Sequence, residues 1–590
     1  MLGGFVIRRF LTNWTLVVKS VGLCLTVASG LWLGKEGPLV HVACCVANLF
    51  LQMTPILNEN EARKREVISA AAAAGISVAF GAPVGGVLFS LEQLSFYFPD
   101  KTMWQSFVCA MVAAVTLQAF NPFRTGKLVL YEVRYSSQWH AFELGPFALL
   151  GVIGGLYGAM FIKLNMVVAS YRKSLRFLQN PIVEVAIIAV ITAVINFPNK
   201  FMRAQFPELV ATLFAECSEL KDERLGLCGA APSSVVGFNL LAAAGLGFIL
   251  TAITFGLRIP AGIILPSMAI GALFGRTVGM FMRTFEQAAP GFILFRACPP
   301  DVRCVTAGTY AIIGAAAALA GATRMTVSIV VIMFELTGAL NYVLPIMISV
   351  MISKWVGDAF GKHGIYESWI DFYGYPFLDN RDDNPIPDVA VAQVMTRIED
   401  LVVLNSTGHT IGSLERLLKT YPHRGFPVIT NHREGFLLGY ISRTELAFAL
   451  DSARSTPRSL PPDAPAFFAH QPLADTDRTL DLRPWMDQTP ITLSSKSSLK
   501  LAADMFLKLG LRYVLFCEKG VLKGILTKKD IIFILNGAGE KRMGQGSGIY
   551  RQSEREGYRE EYARGMDEQE TGLMVGDVDV PDDERERDDR

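Results

Sequence analysis

Residues 34–41 read Gly-Lys-Glu-Gly-Pro-Leu-Val-His and place a charged pair between two glycines, inside otherwise apolar sequence. An ionisable group at membrane depth costs about 3 kcal/mol or more unless it is paired or hydrated, so it indicates a functional site. Pro38 suits the first turn of a helix, where its missing N–H is no loss. The stretch therefore predicts a helix that begins inside the membrane and directs its free N–H groups and positive partial charge towards an anion.

Glu36 lies where such an anion would bind. Its carboxylate can act there as a tethered substitute for the anion, and as a gate when it swings away or takes up a proton. From the spacing alone, a short polar loop between two membrane spans explains the same residues equally well.

The literal string of residues 34–41 resembles the gating-glutamate signature of the CLC family of chloride channels and chloride/proton antiporters, and the resemblance continues to Cys45. It implies that Glu36 is the gating glutamate. The residues that it places around the chloride path in this stretch are Gly34, Lys35, Gly37 and Pro38.

A second glycine and proline break, residues 256–266, precedes another apolar run and mirrors the first. Two such breaks in two halves of a membrane chain suggest inverted repeats that meet at one site, although a simple interhelical turn is the alternative. The resemblance implies that backbone N–H groups of Ile263 and Ile264 bind chloride, where the family pattern favours Phe at position 264. Gly262 and Pro266 flank them.

Residues 362–367 read Lys-His-Gly-Ile-Tyr-Glu. A lone tyrosine near a membrane boundary is usually an interface anchor. The resemblance instead implies that Tyr366 donates its hydroxyl to a central chloride.

Glu92 and Gln93 occupy the position at which the antiporter branch of the family carries a Glu-Glu pair, the second of which passes protons to the cytosol. A glutamine amide does not titrate in the physiological range, so Gln93 favours channel-type conduction over tight proton coupling. Neighbouring helix positions point about 100° apart, which favours a structural, hydrogen-bonded role for Glu92. The surrounding sequence resembles the endosomal and vacuolar branch, which consists mostly of antiporters.

The composition fits a membrane protein, because 51% of the 590 residues are hydrophobic and only 18% are charged. A soluble enzyme carries more charge, and no nucleophile–base pair or metal cluster stands out, so we do not expect an enzyme. The formal net charge of +1 gives no indication of nucleic-acid binding. Several apolar runs are shorter than the roughly 20 residues that span a bilayer, as is typical of half-helices that line a midplane site.

Nine cysteines are scattered without zinc-like spacing. Cys217 and Cys228, and likewise Cys298 and Cys304, flank polar loops. Each pair is either a disulfide facing an oxidising lumen or two free thiols, and the second is slightly favoured.

We expect an all-α polytopic membrane domain of the CLC type, with broken helices and inverted repeats, over residues 1–380, in which residues 198–232 form a large soluble loop. Residues 388–451 and 484–540 repeat a strand-helix-strand-strand-helix pattern, separated by a linker over residues 452–483. Residues 541–590 are rich in charge and predict a disordered tail.

The repeat resembles a pair of cystathionine-β-synthase (CBS) domains, an α/β fold that can bind adenine nucleotides. The resemblance suggests ATP, ADP or AMP near Thr527 and Asp530. His423 and Arg424 stand where the nucleotide-binding relatives have Tyr-Ser, so a purely structural pair is at least as consistent. No cofactor is required.

The sequence thus predicts anion transport, with channel-type conduction gated by Glu36. The alternatives are a chloride/proton antiporter of intracellular membranes, and a non-conducting truncated subunit that acts through its CBS domains. The truncation is expected because a Gly-Ser-Gly-Ile-Pro-Glu motif of the family would lie just before residue 1. The resemblance implies a homodimer in an endosomal, Golgi or vacuolar membrane, or in the plasma membrane, with cytosolic CBS domains and chloride and lipid as partners.

Overall fold

The computed structural model divides into two compact units, one within Ile7–Tyr373 and the other within Gly374–Arg590. The residues that it describes are 10–54, 57, 60–94, 100–120, 131–133, 135, 139–174, 180–216, 227, 233–289, 295, 304–373, 386, 389–455, 460–471, 478–509 and 511–531. The charged tail predicted over residues 541–590 lies outside them.

The first unit is helical. Its helices are α1 (Asn13–Ala28), α2 (Glu36–Met53), α3 (Glu61–Phe80), α4 (Pro83–Phe89), α5 (Asp100–Phe120), α6 (Leu144–Ser174), α7 (Pro181–Asn196), α8 (Lys200–Arg203), α9 (Phe206–Phe214), α10 (Ser233–Thr254), α11 (Ile264–Ala288), α12 (Ala307–Thr323), α13 (Val327–Thr337), α14 (Val343–Phe360) and α15 (Ile365–Phe372).

The length and apolar composition of several helices agree with the membrane domain that the sequence predicts. Among the described residues, six helical segments are long and apolar enough to cross a bilayer: Glu36–Met53, Lys101–Phe120, Ala141–Ser174, Ser234–Thr254, Ile264–Ala288 and Leu340–Phe372. The shorter apolar helix α1 precedes the first of them, and α7, α12 and α13 lie between later ones.

Small residues allow the central helices to approach closely. Every residue of α12 is buried, and its Ala317 and Gly321 pack against Gly154 and Gly158 of α6. A Cβ at Gly158 would overlap the carbonyl group of Gly321. In lipid the hydrophobic effect does not drive helices together, so their association depends on close packing at small residues such as these.

Helices α4 and α13 cap each other. The Glu92 carboxylate, in a π-helical turn that follows α4, accepts hydrogen bonds from the backbone N–H groups of Thr326 and Ser328 at the start of α13, at 2.7 and 3.0 Å. The Glu335 carboxylate near the end of α13 accepts from the N–H groups of Val84 and Gly85 at the start of α4, at 3.2 and 2.8 Å. Each acidic group thus compensates the positive end of the other helix.

The prediction of a large soluble loop over residues 198–232 is wrong for its first half. Residues 200–203 and 206–214 form α8 and α9, and Leu209, Val210, Leu213 and Phe214 are at most 1% exposed. Pro207 lies in the first turn of α9, where proline is tolerated. The error arose because the polar residues around this short segment dominated its composition.

The strands of the second unit are β1 (Thr396–Arg397), β2 (Leu404–Asn405), β3 (His409–Thr410), β4 (Gly425–Ile429), β5 (Leu437–Ser442), β6 (Pro465–Phe467), β7 (Leu480–Asp481), β8 (Thr492–Leu493), β9 (Tyr513–Glu518) and β10 (Val521–Thr527). Within the described residues they form three sheets. Two of these repeat one arrangement, in which a short parallel strand precedes a hairpin: β2-β4-β5 and β8-β9-β10, the latter extended by β1 beyond β10. The third has the order β3-β6-β7.

The helices of these repeats include α16 (Ile411–Thr420), α17 (Arg443–Arg454) and α18 (Leu499–Leu509). One core, around Phe426 and Ile441, combines the first repeat with residues of the segment 452–483, and another, around Phe506 and Phe516, belongs mostly to the second repeat. A smaller cluster joins residues of both repeats and includes the stacked rings of Tyr440 and Tyr513, whose centroids are 3.9 Å apart.

The predicted linker over residues 452–483 is more ordered than expected. It contributes β6 and β7, which pair with each other, and β6 also pairs with β3. These strands have three and two residues, too short for an alternating pattern to be visible in the sequence. Residues 484–486, read as a strand, lie instead within the 3₁₀ turn Arg483–Trp485 and the residue after it.

Cys304 belongs to the second of the two cysteine pairs named from the sequence. Cys304 is disulfide-bonded, which differs from the slightly favoured free thiol, and its sulfur lies 3.5 Å from Nδ1 of His140. Cys217, Cys228 and Cys298 lie outside the described residues. The free cysteines of the described part are Cys24, Cys44, Cys45, Cys109 and Cys517.

The close crossing of α6 and α12 generates a stability prediction. We expect Gly158→Ala to lower the free energy of unfolding by about 1–3 kcal/mol, the usual cost of overpacking, because the added methyl group meets a backbone carbonyl. Gly145→Ala is the matched control on the same helix, since no atom lies within 4 Å of the Cβ that it adds. Thermal unfolding of both variants in detergent measures the difference, and equal melting temperatures would contradict the packing argument.

Candidate anion site at two broken helices

The two glycine breaks meet through their backbones. The N–H of Gly34 donates to the carbonyl oxygen of Gly262 at 2.7 Å, and the N–H of Gly262 donates back to that of Gly34 at 2.8 Å. They form an isolated antiparallel bridge between segments more than 200 residues apart in the chain. The structure thus brings together the two stretches in which the sequence analysis placed the site.

A helix begins immediately after each paired glycine. Helix α2 starts at Glu36 and α11 at Ile264, and the residues before them, Lys35 and Ile263, supply no side-chain hydrogen bond to cap the helix start. The first N–H groups of a helix have no partner within the helix. Two positive helix ends therefore lie beside the bridge, as the sequence pattern predicts for an anion site.

The proline and isoleucine residues named from the sequence lie in these helix starts. Pro38 and Pro266 are buried in the first turns of α2 and α11. Ile263 and Ile264 are also buried, at 1% and 4% exposure, whereas Gly37 is exposed. The backbone of α11 at this point is thus shielded from solvent and available only to a group inside the unit.

Glu36 is fully buried, with 0% of its surface exposed. Neither carboxylate oxygen makes a hydrogen bond with any residue of the described part, although the N–H groups of Lys35, Glu36 and Leu265 face it. Glycine at positions 34 and 262 makes room for this carboxylate, because a Cβ at Gly262 would lie 3.1 Å from Oε2 and one at Gly34 would overlap it. Burying a carboxylate that accepts no hydrogen bond destabilises the fold, so this arrangement calls for a functional explanation.

Tyrosine side chains lie around Glu36. Tyr366, in the first turn of α15, is close enough for its phenol to interact electrostatically with the Glu36 carboxylate, and so is Tyr131. Tyr366 and Ile263 belong to the same apolar cluster. The three parts of the predicted chloride site, at the starts of α2, α11 and α15, are therefore neighbours.

Sequence reasoning missed Tyr131 and a second polar contact at α11. The Tyr157 hydroxyl of α6 donates to Oγ of Ser267, one residue after Pro266, at 3.0 Å. Ser267 is fully buried. No local motif marks either tyrosine, because each meets the site only through the tertiary fold.

Glu92 and Gln93 point to different partners. The Glu92 carboxylate accepts four hydrogen bonds, from the backbone N–H and hydroxyl groups of Thr326 and Ser328. This is the structural role that the sequence favoured for it. The Gln93 amide donates to the carbonyl oxygen of Thr323, the last residue of α12, at 3.2 Å.

The candidate nucleotide residues of the second unit are placed as follows. Asp530 is buried, and its Oδ2 accepts from the N–H and the hydroxyl of Thr527 at 2.9 and 2.7 Å. The carboxylate thus caps the helix that begins after β10. His423 and Arg424 are exposed just before β4. Burial lowers the pKa of neighbouring Lys528 to about 8, so this side chain is mostly but not fully charged near neutral pH.

The chain resembles known proteins over most of its length. Residues 5–358 match the family model described as voltage gated chloride channel, and residues 481–537 match the CBS domain model. The chain is 45% identical over 555 residues to H(+)/Cl(-) exchange transporter 3 of Mus musculus, covering 90% of this chain and 68% of that protein. It is 42% identical over 554 residues to H(+)/Cl(-) exchange transporter 5 of Homo sapiens, with the same coverage.

A solved structure shares the fold. The crystal structure of a eukaryotic CLC transporter aligns with a TM-score of 0.63 and 27% sequence identity, over 89% of this chain and 81% of that chain. The matched family model covers more than half of the chain, including both glycine breaks and Glu36. The chain therefore belongs to the CLC family of voltage-gated chloride channels and transporters and carries a CBS domain near its carboxyl terminus.

Proposed function

We propose that this protein exchanges chloride for protons across a membrane, with Glu36 as the gate. The observation that carries the proposal is the buried Glu36 carboxylate. It lies at the starts of α2 and α11 and accepts no hydrogen bond from any described residue. A group held in this way is displaced readily by an anion that competes for the same N–H groups. The relatives named above are exchange transporters, which supports exchange over the channel-type conduction that the sequence analysis favoured.

The proposed cycle uses one position for two occupants. With Glu36 in place, its carboxylate takes the positive region at the two helix ends and closes the path to chloride. When it takes up a proton, it loses its charge and leaves the position, and chloride binds at the N–H groups of Ile263 and Ile264. In this proposal the Tyr366 hydroxyl donates a hydrogen bond to the same ion. The uptake of a proton and the binding of chloride are thereby linked through one side chain, whose unprotonated carboxylate competes with chloride.

Gln93 supports a second candidate function, uncoupled chloride conduction. An amide cannot carry a proton, and the Gln93 amide is held as a donor to the carbonyl oxygen of Thr323. If protons reach Glu36 from one side only, chloride flux is gated by pH without exchange. Glu92 is a poor substitute, because four hydrogen bonds already hold its carboxylate.

Three further assignments complete the proposal. The relatives and the resemblance to the endosomal branch favour an intracellular membrane, with the CBS unit in the cytosol. A homodimer is expected from the family. Adenine nucleotide binding by the CBS pair would use the region of Thr527 and Asp530, where one carboxylate oxygen is engaged by the helix cap.

The function is tested by chloride and proton flux from liposomes that contain the purified protein, with the voltage clamped by valinomycin. We expect a chloride gradient to drive protons uphill. In Glu36→Ala we expect chloride flux to continue, proton flux to fall to the background of empty liposomes, and the dependence of chloride flux on pH to disappear. Chloride flux without proton flux in the wild-type chain would favour the uncoupled alternative, and an unchanged pH dependence in Glu36→Ala would exclude Glu36 as the gate.

Gln93→Glu tests whether position 93 lies on the proton path. We expect this variant to move more protons per chloride than the wild-type chain, because a carboxyl group can accept and release a proton where the amide cannot. Only its protonated form can keep the hydrogen bond to Thr323, since two unprotonated oxygens repel each other. The measurement is the proton-to-chloride ratio in the liposome assay.

Glu92→Gln is the neighbouring control. It weakens the cap of α13 and should lower the free energy of unfolding by about 1–3 kcal/mol, but it should leave the proton-to-chloride ratio unchanged. An unaltered ratio in Gln93→Glu would show that position 93 does not take part in proton transfer.

A further inference from the structure

Asn165, in the middle of α6, is a fully buried amide inside the membrane unit. Its Nδ2 donates to the carbonyl oxygens of Ala252 and Phe255 at 2.9 and 2.8 Å, and its Oδ1 accepts from Nε1 of Trp369 at 2.9 Å. Both amide hydrogens and the amide oxygen are therefore used. A polar side chain in this environment is tolerated only when it is satisfied in this way.

The two carbonyl groups are at the carboxyl end of α10. The last carbonyls of a helix have no partner within it, and here each of them has one. The N–H groups of Phe255 and Leu257 bond to Thr251 and Thr254, and Arg172, two turns beyond Asn165 on α6, bonds to Ile253. Asn165 supplies the bond to Ala252, so it caps the end of α10 together with Arg172.

The indole of Trp369 reaches the same point from α15. Its ring lies against Gly256, which has a φ of +97°, and a Cβ at this glycine would meet ring atoms Cζ2 and Cη2. Glycine is thus required at position 256 both for the left-handed backbone and for the ring. Trp369 also packs edge to face on Phe255, at 6.1 Å between ring centroids.

Both elements that meet at Asn165 lead directly to the anion site. From Gly256 the chain runs through only five residues to Gly262, whose backbone pairs with Gly34. On α15, Trp369 lies three residues after Tyr366, so the two side chains share a helix face. Tyr366, Trp369 and the helix-start residue Ile263 belong to one apolar cluster.

We propose that Asn165 and Trp369 are positioning residues for anion binding, which hold the Tyr366 hydroxyl in register with the start of α11. Asn165 joins the segment that delivers Gly262 to the helix that carries Tyr366, and neither positioning residue touches the anion. The inference rests on the proposed function, because it assigns Tyr366 to the anion.

Trp369→Phe tests this role with a small change, because it removes the indole N–H and keeps an aromatic ring. Trp139→Phe is the matched control: the Trp139 indole also donates one hydrogen bond, to the carbonyl oxygen of Asn341 at 2.9 Å. The chloride concentration for half-maximal flux is measured in liposomes. Chloride binding is measured by calorimetry on the monodisperse fraction, so that a lower yield of folded protein does not affect the result.

We expect Trp369→Phe to raise the half-maximal chloride concentration about fivefold, the effect of one lost hydrogen bond, and Trp139→Phe to leave it unchanged. In a Tyr366→Phe background, Trp369→Phe should add no further increase, because a positioning residue acts only through the group that it positions. Asn165→Ser, which cannot reach all three partners, should raise the same concentration and show the same dependence on Tyr366.

An increase that adds fully to that of Tyr366→Phe, or a Trp369→Phe variant that matches Trp139→Phe, would overturn the inference while chloride transport itself stands. A wild-type chain that neither binds nor transports chloride would overturn the proposed function and the inference with it. The wild-type measurement therefore distinguishes a failure of this inference from a failure of the proposed function.

Discussion

The backbone pairing of Gly34 with Gly262 is the constraint on which the membrane unit depends. Two breaks in apolar helical sequence leave unpaired N–H and C=O groups, and lipid offers these groups no partner. The pairing satisfies one donor and one acceptor from each glycine, at 2.7 and 2.8 Å. The N–H groups of the two helix starts then remain for a buried charge, and the absence of a Cβ at both glycines leaves space for the Glu36 carboxylate.

A site of this kind needs a rigid frame. A displacement of about 1 Å between the two helix starts would misalign the N–H groups that both direct at one bound anion. The frame is built from close crossings of small residues, such as those between α6 and α12, and from polar side chains that end or begin helices. Glu92 binds the start of α13, and Glu335 of α13 binds the start of α4. Asn165 ties the end of α10 to α15. These contacts are satisfied hydrogen bonds in a medium of low polarity, where leaving one group unpaired is expensive.

The sequence predicted those features that local chemistry determines. Glycine and proline mark both breaks, and an internal repeat of short motifs marks the two halves of the second unit. Helix α9 was missed because it is an amphipathic helix of only nine residues within a polar region. Strands β6 and β7 were missed because two or three residues are too few to show an alternating pattern. The partners of Asn165 could not be predicted either, since Ala252 and Trp369 are 87 and 204 residues away in the chain.

The adjacent residues Glu92 and Gln93 bind opposite ends of two neighbouring helices, one as a hydrogen-bond acceptor and the other as a donor. The chain between α12 and α13 presents the negative end of the first helix and the positive end of the second within a few residues. Glu92, an acceptor, binds the N–H groups at the start of α13, and Gln93, a donor, binds the last carbonyl of α12. A carboxyl group at position 93 would face the same carbonyl oxygen and could donate this hydrogen bond only in its protonated form. A permanent donor such as glutamine makes the bond at this position without a titrating proton.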